Sequence, residues 1–213
     1  MSSRRFVAAN LTDLPHLEGE FGTIPVRIPL GITSFGVNAY FPGEDRRVIE
    51  EHDELGAGAG RHEELYFVAR GHAVFTLGGE EVDAPVGTLV FVSDPAVRRG
   101  ATATEADTVV LVAGGVPGRA FEPSPWEAWL EAAPHLQAGR PEEAVAVLER
   151  ALQAHAGNGN VLYNLACVEA LAGRHDAALA HLGEALAADP RTREWAKSDS
   201  DFDAIREDPR FPA

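Results

Sequence analysis

The residue pattern changes abruptly near residue 120, and this change restricts the possible folds more than any other feature of the chain. Before Phe121 the sequence is rich in Gly, Val and Thr in short apolar runs, whereas after it Ala, Leu and Glu dominate. The first composition is typical of β-strands and the second of helices. Because 213 residues exceed the usual size of one domain, the sequence predicts two units of the α+β class.

Short strand-like runs recur through the first half, and turn residues bound each of them. The runs span residues 26–30, 34–41, 64–68, 73–77, 88–92 and 108–112. Gly71, Gly87 and the pair Gly78 and Gly79 stand where tight turns are needed. Many short strands at this spacing, without a helical period, predict an antiparallel barrel or sandwich.

Two segments of this half resemble the conserved motifs of the cupin superfamily. In the first motif Glu64 is followed by Gly71 after six intervening residues, which is the spacing found in cupins. The second motif begins at Gly87 and continues into the apolar run that ends at Val92. The resemblance covers about residues 21–115 and implies a jelly-roll barrel domain, whose limits we place at 1–118.

The histidines with which cupins bind a metal are missing here. The family places a His-x-His pair shortly before the glutamate, where this chain has the Gly and Ala run 56–60, and the family's third histidine aligns with Arg98. The resemblance therefore favours no metal cofactor. An alternative metal site uses imidazoles and carboxylates, which suit Zn, Mn or Fe. Its members are His52, Glu54, His62 and Glu64. A charged run of this kind is also typical of a solvated edge.

Strand alternation predicts which side chains share the barrel interior with Glu64. If Glu64 points inward, as the resemblance implies, His62 and Tyr66 lie on the same face. Arg98, at the position of the missing histidine, would then face Glu64, and a guanidinium pairs with a carboxylate but cannot bind a cation. We therefore predict an ion pair between Arg98 and Glu64. The pocket of His62, Glu64, Tyr66 and Arg98 either binds a small anionic or hydrogen-bonding ligand or is a structural ion pair alone.

The second half repeats itself at an offset of 34 residues. Matching positions are Gly139 with Gly173, Ala144 with Ala178, and Leu148 with Leu182. This period is typical of tetratricopeptide repeats, whose small residues let two antiparallel helices approach closely. The chain resembles that family over repeats 125–158 and 159–192, within a helical domain that we place at 119–213. Because two repeats form a marginal stack, we expect the tail 193–213 to close it.

The charge of the chain argues against nucleic-acid and membrane partners. The net charge is −15, and both halves carry an excess of acidic residues. Such a field repels a phosphate backbone or an anionic lipid surface. No apolar segment is long enough for a secretion signal or a membrane span, so the cytoplasm is the expected location. Cys167, the only cysteine, can form no intrachain disulfide.

Taken together, these features predict a binding or scaffold protein. The β domain would hold a small-molecule ligand in a metal-free pocket, and the helical repeats would bind a protein partner, associate with a second copy or only buttress the barrel. Cupins commonly dimerise, so the resemblance also implies a homodimer. The alternative is an atypical metal-dependent cupin enzyme, an oxygenase, isomerase or lyase acting on a small molecule. No catalytic residue can be assigned from the sequence.

Overall fold

The computed structural model describes residues 6–17, 22–56 and 58–212. The limits drawn above at residues 1, 21 and 213 therefore lie outside the described residues. The chain divides into two compact units. The first takes its described residues from Met1–Leu55 and Gly60–Glu122, and the second takes them from Gly56–Ala59 and Pro123–Ala213. Residues 119–122 thus group with the first unit and not with the predicted helical domain.

Within the described residues the first unit has nine strands in two antiparallel sheets. The strands are β1 (Gly22–Ile24), β2 (Gly36–Phe41), β3 (Arg47–His52), β4 (Glu63–Arg70), β5 (His72–Leu77), β6 (Glu80–Pro85), β7 (Leu89–Val92), β8 (Arg99–Ala103) and β9 (Val109–Gly115). One sheet has the order β1-β2-β9-β4-β7, and the other has the order β3-β8-β5-β6. A short helix, α1 (Arg27–Leu30), connects β1 and β2, so the prediction of a strand over 26–30 is wrong.

Both sheets contribute to the apolar core of this unit. The core includes Tyr66 and Val68 from one sheet and Phe75 and Ala101 from the other. The alternation of side chains along β4 explains this arrangement, because Tyr66 and Val68 are buried whereas 39% of Leu65 is exposed. The predicted antiparallel β fold of the first half is confirmed.

The turn between β4 and β5 requires glycine. Gly71 has φ +71°, and a Cβ at this position would lie 2.7 Å from the Cα of Thr108. A side chain here would therefore strain the backbone and displace a neighbouring segment. This requirement explains the glycine of the first motif.

The second unit is helical in its described residues. Its helices are α2 (Glu127–Gln137), α3 (Pro141–Ala154), α4 (Gly159–Leu171), α5 (His175–Ala188) and α6 (Thr192–Ser198). Helix α2 packs on α3 and helix α4 packs on α5, so the helices form two hairpins. Leu148 and Leu182, which match at the repeat offset, are both fully buried. None of the helices in the described part of the chain has the length and apolar character needed to cross a bilayer.

The segment after α5 contributes side chains to the helical core. Phe202 and Ile205 are buried in it, whereas 46% of Trp195 is exposed. The ring of Phe202 meets the ring of Tyr163 edge-on, with the ring centroids 5.6 Å apart. The expected closing role therefore rests on Phe202 and Ile205 more than on Trp195.

Candidate functional site

Polar side chains from both sheets meet within the β unit. His52 ends β3 and Arg99 begins β8, and these two residues are register partners in one sheet. Glu64 and Tyr66 lie two residues apart on β4 of the other sheet and therefore share a face. The Arg99 side chain is fully buried, whereas 35% of the His52 side chain is exposed. His52 is the member of this cluster that solvent reaches most easily.

The carboxylate of Glu64 is the centre of the cluster. Its Oε2 accepts hydrogen bonds from the Tyr66 hydroxyl at 2.5 Å and from Arg99 Nε at 3.1 Å. The Nε2 atom of His52 lies 3.7 Å from the same oxygen. The Nδ1 atom of His52 donates to the backbone carbonyl of Glu50 at 2.7 Å, and this bond orients the ring. The cluster thus joins the two sheets through one oxygen atom.

Burial and neighbouring groups act in opposite directions on the pKa values of Glu64 and His52, whereas burial and Glu64 act in the same direction on the pKa of Tyr66. Burial alone would raise the pKa of Glu64, but the three surrounding donors outweigh it, so the pKa of Glu64 is lowered. Burial alone would lower the pKa of His52, but the Glu64 carboxylate and the Glu50 carbonyl outweigh it and raise that pKa. Burial, reinforced by Glu64, raises the pKa of Tyr66. At neutral pH Glu64 is therefore ionised and Tyr66 is a neutral donor.

Two buried nitrogen atoms of the β unit have no hydrogen-bond partner among the described residues. Arg99 Nη1 donates to the carbonyls of Val97 at 2.8 Å and Pro95 at 3.2 Å, but Arg99 Nη2 makes no hydrogen bond to any residue that the structure describes. The second such atom is Nε2 of His62. The His62 ring packs against the ring of Phe121, with the ring centroids 5.5 Å apart. Buried polar atoms are normally paired, so a ligand atom that bonded either nitrogen would recover free energy.

Glu54 holds the segment that leads into β4. Its Oε2 accepts hydrogen bonds from the backbone N–H groups of Gly60 at 3.0 Å and His62 at 3.2 Å. Its Oε1 lies 3.9 Å from His52 Nε2. His52, Glu54 and Glu64 bring one ligand atom each within 4.8 Å of one another. Among the described residues, His62 does not belong to this group, so three of the four members of the alternative metal set come together.

The predicted pairing of Arg98 with Glu64 is wrong by one residue. Arg98 lies on the surface, where 61% of its side chain is exposed, and it pairs with Glu51. Arg99 lies inside and pairs with Glu64. The segment between β7 and β8 is irregular, so counting residues from the second motif does not identify the inward-facing residue of β8. A shift of one residue then moves a strand side chain to the opposite face of the sheet.

Sequence reasoning missed Arg99 and treated His52 only as a metal ligand. The alternation of apolar and polar side chains along β8 could have indicated Arg99, because Ala101 and Ala103 are buried and Thr102 is exposed. Arg99 therefore shares the interior face with the two alanines. Of the predicted pocket residues, Glu64 and Tyr66 are in contact, whereas Arg98 is outside. Ligand binding by these residues stays a prediction.

A second polar cluster lies in the helical unit. The Tyr163 hydroxyl donates to Asp199 Oδ2 at 2.8 Å, and the Cys167 thiol donates to the same oxygen at 3.6 Å. The Oδ1 atom of Asp199 accepts from the backbone N–H of Asp201 and so caps the 3-10 turn that begins at Ser200. These bonds tie the segment after α6 to helix α4.

We expect Cys167 to be unreactive in the folded protein. Burial, followed by the charges of Asp199 and Asp201, raises the pKa of its thiol well above the ordinary value. Because the thiolate is the reactive form, labelling with Ellman's reagent at mildly alkaline pH should be slower by orders of magnitude in native buffer than in denaturant. Equal labelling rates in the two conditions would contradict the buried, protonated thiol.

Comparison with known protein families supports the assignment of the second half. The tetratricopeptide repeat model matches residues 135–198. The predicted similarity to tetratricopeptide repeats is therefore confirmed for this part of the helical unit. No curated protein matches the sequence.

Solved structures similar to this chain include several cupins. A cupin protein from Bacteroides fragilis has a TM-score of 0.40 and 17% identity, and the match covers 54% of this chain and 87% of that chain. An RmlC-like cupin from Shewanella frigidimarina has a TM-score of 0.38 and 14% identity, with coverage of 55% and 95%. Pac13, a nucleoside dehydratase of Streptomyces, has a TM-score of 0.37 and 18% identity, with coverage of 50% and 80%. The similarity to cupins that the sequence predicts is thus found among solved structures.

Proposed function

We propose that the β unit binds a small polar molecule at the exposed face of His52. The observation that carries this proposal is the arrangement around Glu64. Buried Tyr66 and Arg99 hold its carboxylate in place, while a partly exposed imidazole faces the same oxygen. A few polar groups that converge in this way are typical of ligand pockets.

The charges of the cluster indicate the chemistry of the ligand. When the His52 ring is protonated, which the neighbouring Glu64 carboxylate favours, His52 and Arg99 carry two positive charges. The carboxylates of Glu54 and Glu64 then offset them, so the cluster has no net charge. The unpaired Nη2 of Arg99 and the Nε2 of protonated His52 are both donors. These donors suit hydroxyl and carboxylate oxygens, and we infer a ligand such as a sugar acid with one carboxylate rather than a polyanion.

D-galacturonate should raise the melting temperature of the protein more than D-galactose, which has a hydroxymethyl group in place of the carboxylate. At about tenfold above its Kd, a ligand stabilises the folded state by about 1.4 kcal/mol. His52→Gln should lose this shift because it removes the exposed charged donor. Differential scanning fluorimetry of the full chain measures the effect.

His72→Gln is the matched control for this experiment. His72 is also partly exposed and also lies beside a carboxylate, that of Asp83, but it is in a different part of the β unit. We expect this variant to keep the full shift. If neither sugar has an effect, or if His52→Gln responds as the wild type does, the proposed site is wrong.

The helical unit adds an association module to this proposal. Its match to tetratricopeptide repeats supports binding of a protein partner or of a second copy, since repeats of this kind stack into extended surfaces.

A second candidate function, an atypical metal-dependent enzyme of the cupin type, is favoured by one observation. His52, Glu54 and Glu64 hold their ligand atoms within 4.8 Å, and the Glu50 carbonyl orients the His52 ring as outer groups orient metal-bound histidines. One imidazole and two carboxylates fit Zn, Mn or Fe. The guanidinium of Arg99 on Glu64 competes with such a cation for the carboxylate.

Metal content separates the two candidates. Protein dialysed against Zn, Mn or Fe and then desalted should retain little metal if the polar pocket is the functional site. About one equivalent per chain, lost in His52→Gln but kept in His72→Gln, would favour the enzyme.

A further inference from the structure

The ring of Phe121 lies in a slot formed by Gly36, Gly115, Arg27 and His62. A Cβ at Gly36 would lie 3.2 Å from the Phe121 ring, and a Cβ at Gly115 would lie 3.7 Å from it. Gly36 begins β2, and Gly115 ends the neighbouring strand β9. A side chain at Gly36 would crowd the ring, so the glycines leave room for a flat group on this part of the sheet.

Two groups beside the slot can recognise an aromatic ligand. The Arg27 guanidinium lies over the Phe121 ring, with its central carbon 5.6 Å from the ring centroid. A cation in this position is attracted to the face of any aromatic ring. The same ring packs against His62, which is 6% exposed and whose Nε2 atom has no hydrogen-bond partner among the described residues. Phe121 has no polar atom that could bond this nitrogen.

The segment that carries Phe121 is held by few contacts. Residues 117–122 have no helix or strand, and all of them except Phe121 are exposed. The backbone hydrogen bond described for this segment is local, from the N–H of Arg119 to the carbonyl of Val116. Phe121 also lines an open groove of about 350 Å³. The ring can therefore leave the slot without breaking regular structure, and a ligand can enter from the groove.

We propose that this slot binds a phenolic ligand, whose ring replaces that of Phe121 and whose hydroxyl bonds Nε2 of His62. A hydroxyl suits this nitrogen because it both donates and accepts, so it can bond Nε2 in either tautomer of the imidazole. The new bond satisfies a buried polar atom, which Phe121 leaves unpaired. Phe121 is then a gate that fills the slot when the ligand is absent. This inference does not depend on the ligand proposed at His52.

Phe121→Ala should bind p-cresol at least about tenfold more tightly than the wild type, because the ligand no longer competes with the Phe121 ring. In this variant p-cresol should bind at least about threefold more tightly than toluene, which has the same ring without the hydroxyl. The double variant F121A/H62L should lose this preference for p-cresol. NMR titration of the full chain gives the dissociation constants.

Phe41→Ala is the matched control for this experiment. The Phe41 ring also packs against an imidazole, that of His16, with the ring centroids 5.4 Å apart, but His16 is exposed. We expect this variant to bind p-cresol no more tightly than the wild type does. Circular dichroism checks that both single variants keep the native fold.

The wild type provides a measurement that does not depend on the folding of a variant. Bound p-cresol should shift the imidazole nitrogen resonances of His62 and leave those of His135, in the helical unit, unchanged. Equal affinities of a folded Phe121→Ala and the wild type for p-cresol, or equal affinities of that variant for p-cresol and toluene, would overturn the proposal. Unchanged His62 resonances in the wild type at the solubility limit of p-cresol would overturn it as well.

Discussion

Replacing Arg99 with Met is expected to destabilise the β unit by about 3–5 kcal/mol, the usual cost of removing one partner from a buried ion pair. The change leaves the ionised Glu64 without its only cationic hydrogen bond among the described residues. It also leaves the carbonyls of Pro95 and Val97 without the Nη1 donor. Hydrogen exchange of peptides from β4 and β8, measured in the intact chain, gives the free energy of the opening that exposes the amides of these strands.

Arg98→Met is the matched control, since it makes the same chemical change one residue earlier. Arg98 and Glu51 are both exposed, and exposed ion pairs contribute little to stability. We expect no clear change in exchange for this variant. Arg99→Lys keeps the charge but loses hydrogen-bond donors. Its free energy of opening should lie between those of the wild type and Arg99→Met. Similar losses of stability in Arg98→Met and Arg99→Met would contradict the assignment of Arg99 as the buried partner of Glu64.

Replacing Phe202 with Ala should destabilise the helical unit by about 3–5 kcal/mol, because it leaves a cavity in a packed core. Phe202 is fully buried and meets the rings of Tyr163 and Phe211 at centroid distances of 5.6 and 6.0 Å. All three tryptophans of the chain lie in this unit, so their fluorescence during urea unfolding reports its stability.

Leu171→Ala provides the comparison for Phe202→Ala. Leu171 ends helix α4 and is half-exposed, so its truncation removes few packed contacts. We expect its midpoint in urea to stay close to that of the wild type. If Phe202→Ala unfolds at the same urea concentration as Leu171→Ala, the segment after α6 does not stabilise the helices.

The general fold could be predicted because its signals are local. The 34-residue offset aligns Leu148 with Leu182, and both lie in the helical core, since small and apolar residues at fixed helical positions decide which face packs. Gly71 could be placed at a turn because its left-handed backbone angle suits no other residue as well. Strand alternation likewise placed Tyr66 on the buried face of β4.

The candidate site could be predicted only in part. Glu64 and Tyr66 lie on one strand, so the two-residue period alone brings them together. Arg99 and His52 come from the other sheet, and their approach to Glu64 depends on the packing of one sheet on the other. No pattern within a single segment contains that information.

The sequence by itself determined that a strand-rich half precedes a helical half and that both halves are acidic, because composition and period act over a few neighbouring residues. Only the tertiary structure decided that Arg99, and not Arg98, reaches Glu64. The length and path of the segment between β7 and β8 set which arginine begins the strand, and one residue of register decides between the interior and the surface. Contacts between distant strands also decided which buried nitrogen atoms have no hydrogen-bond partner in the described part of the chain.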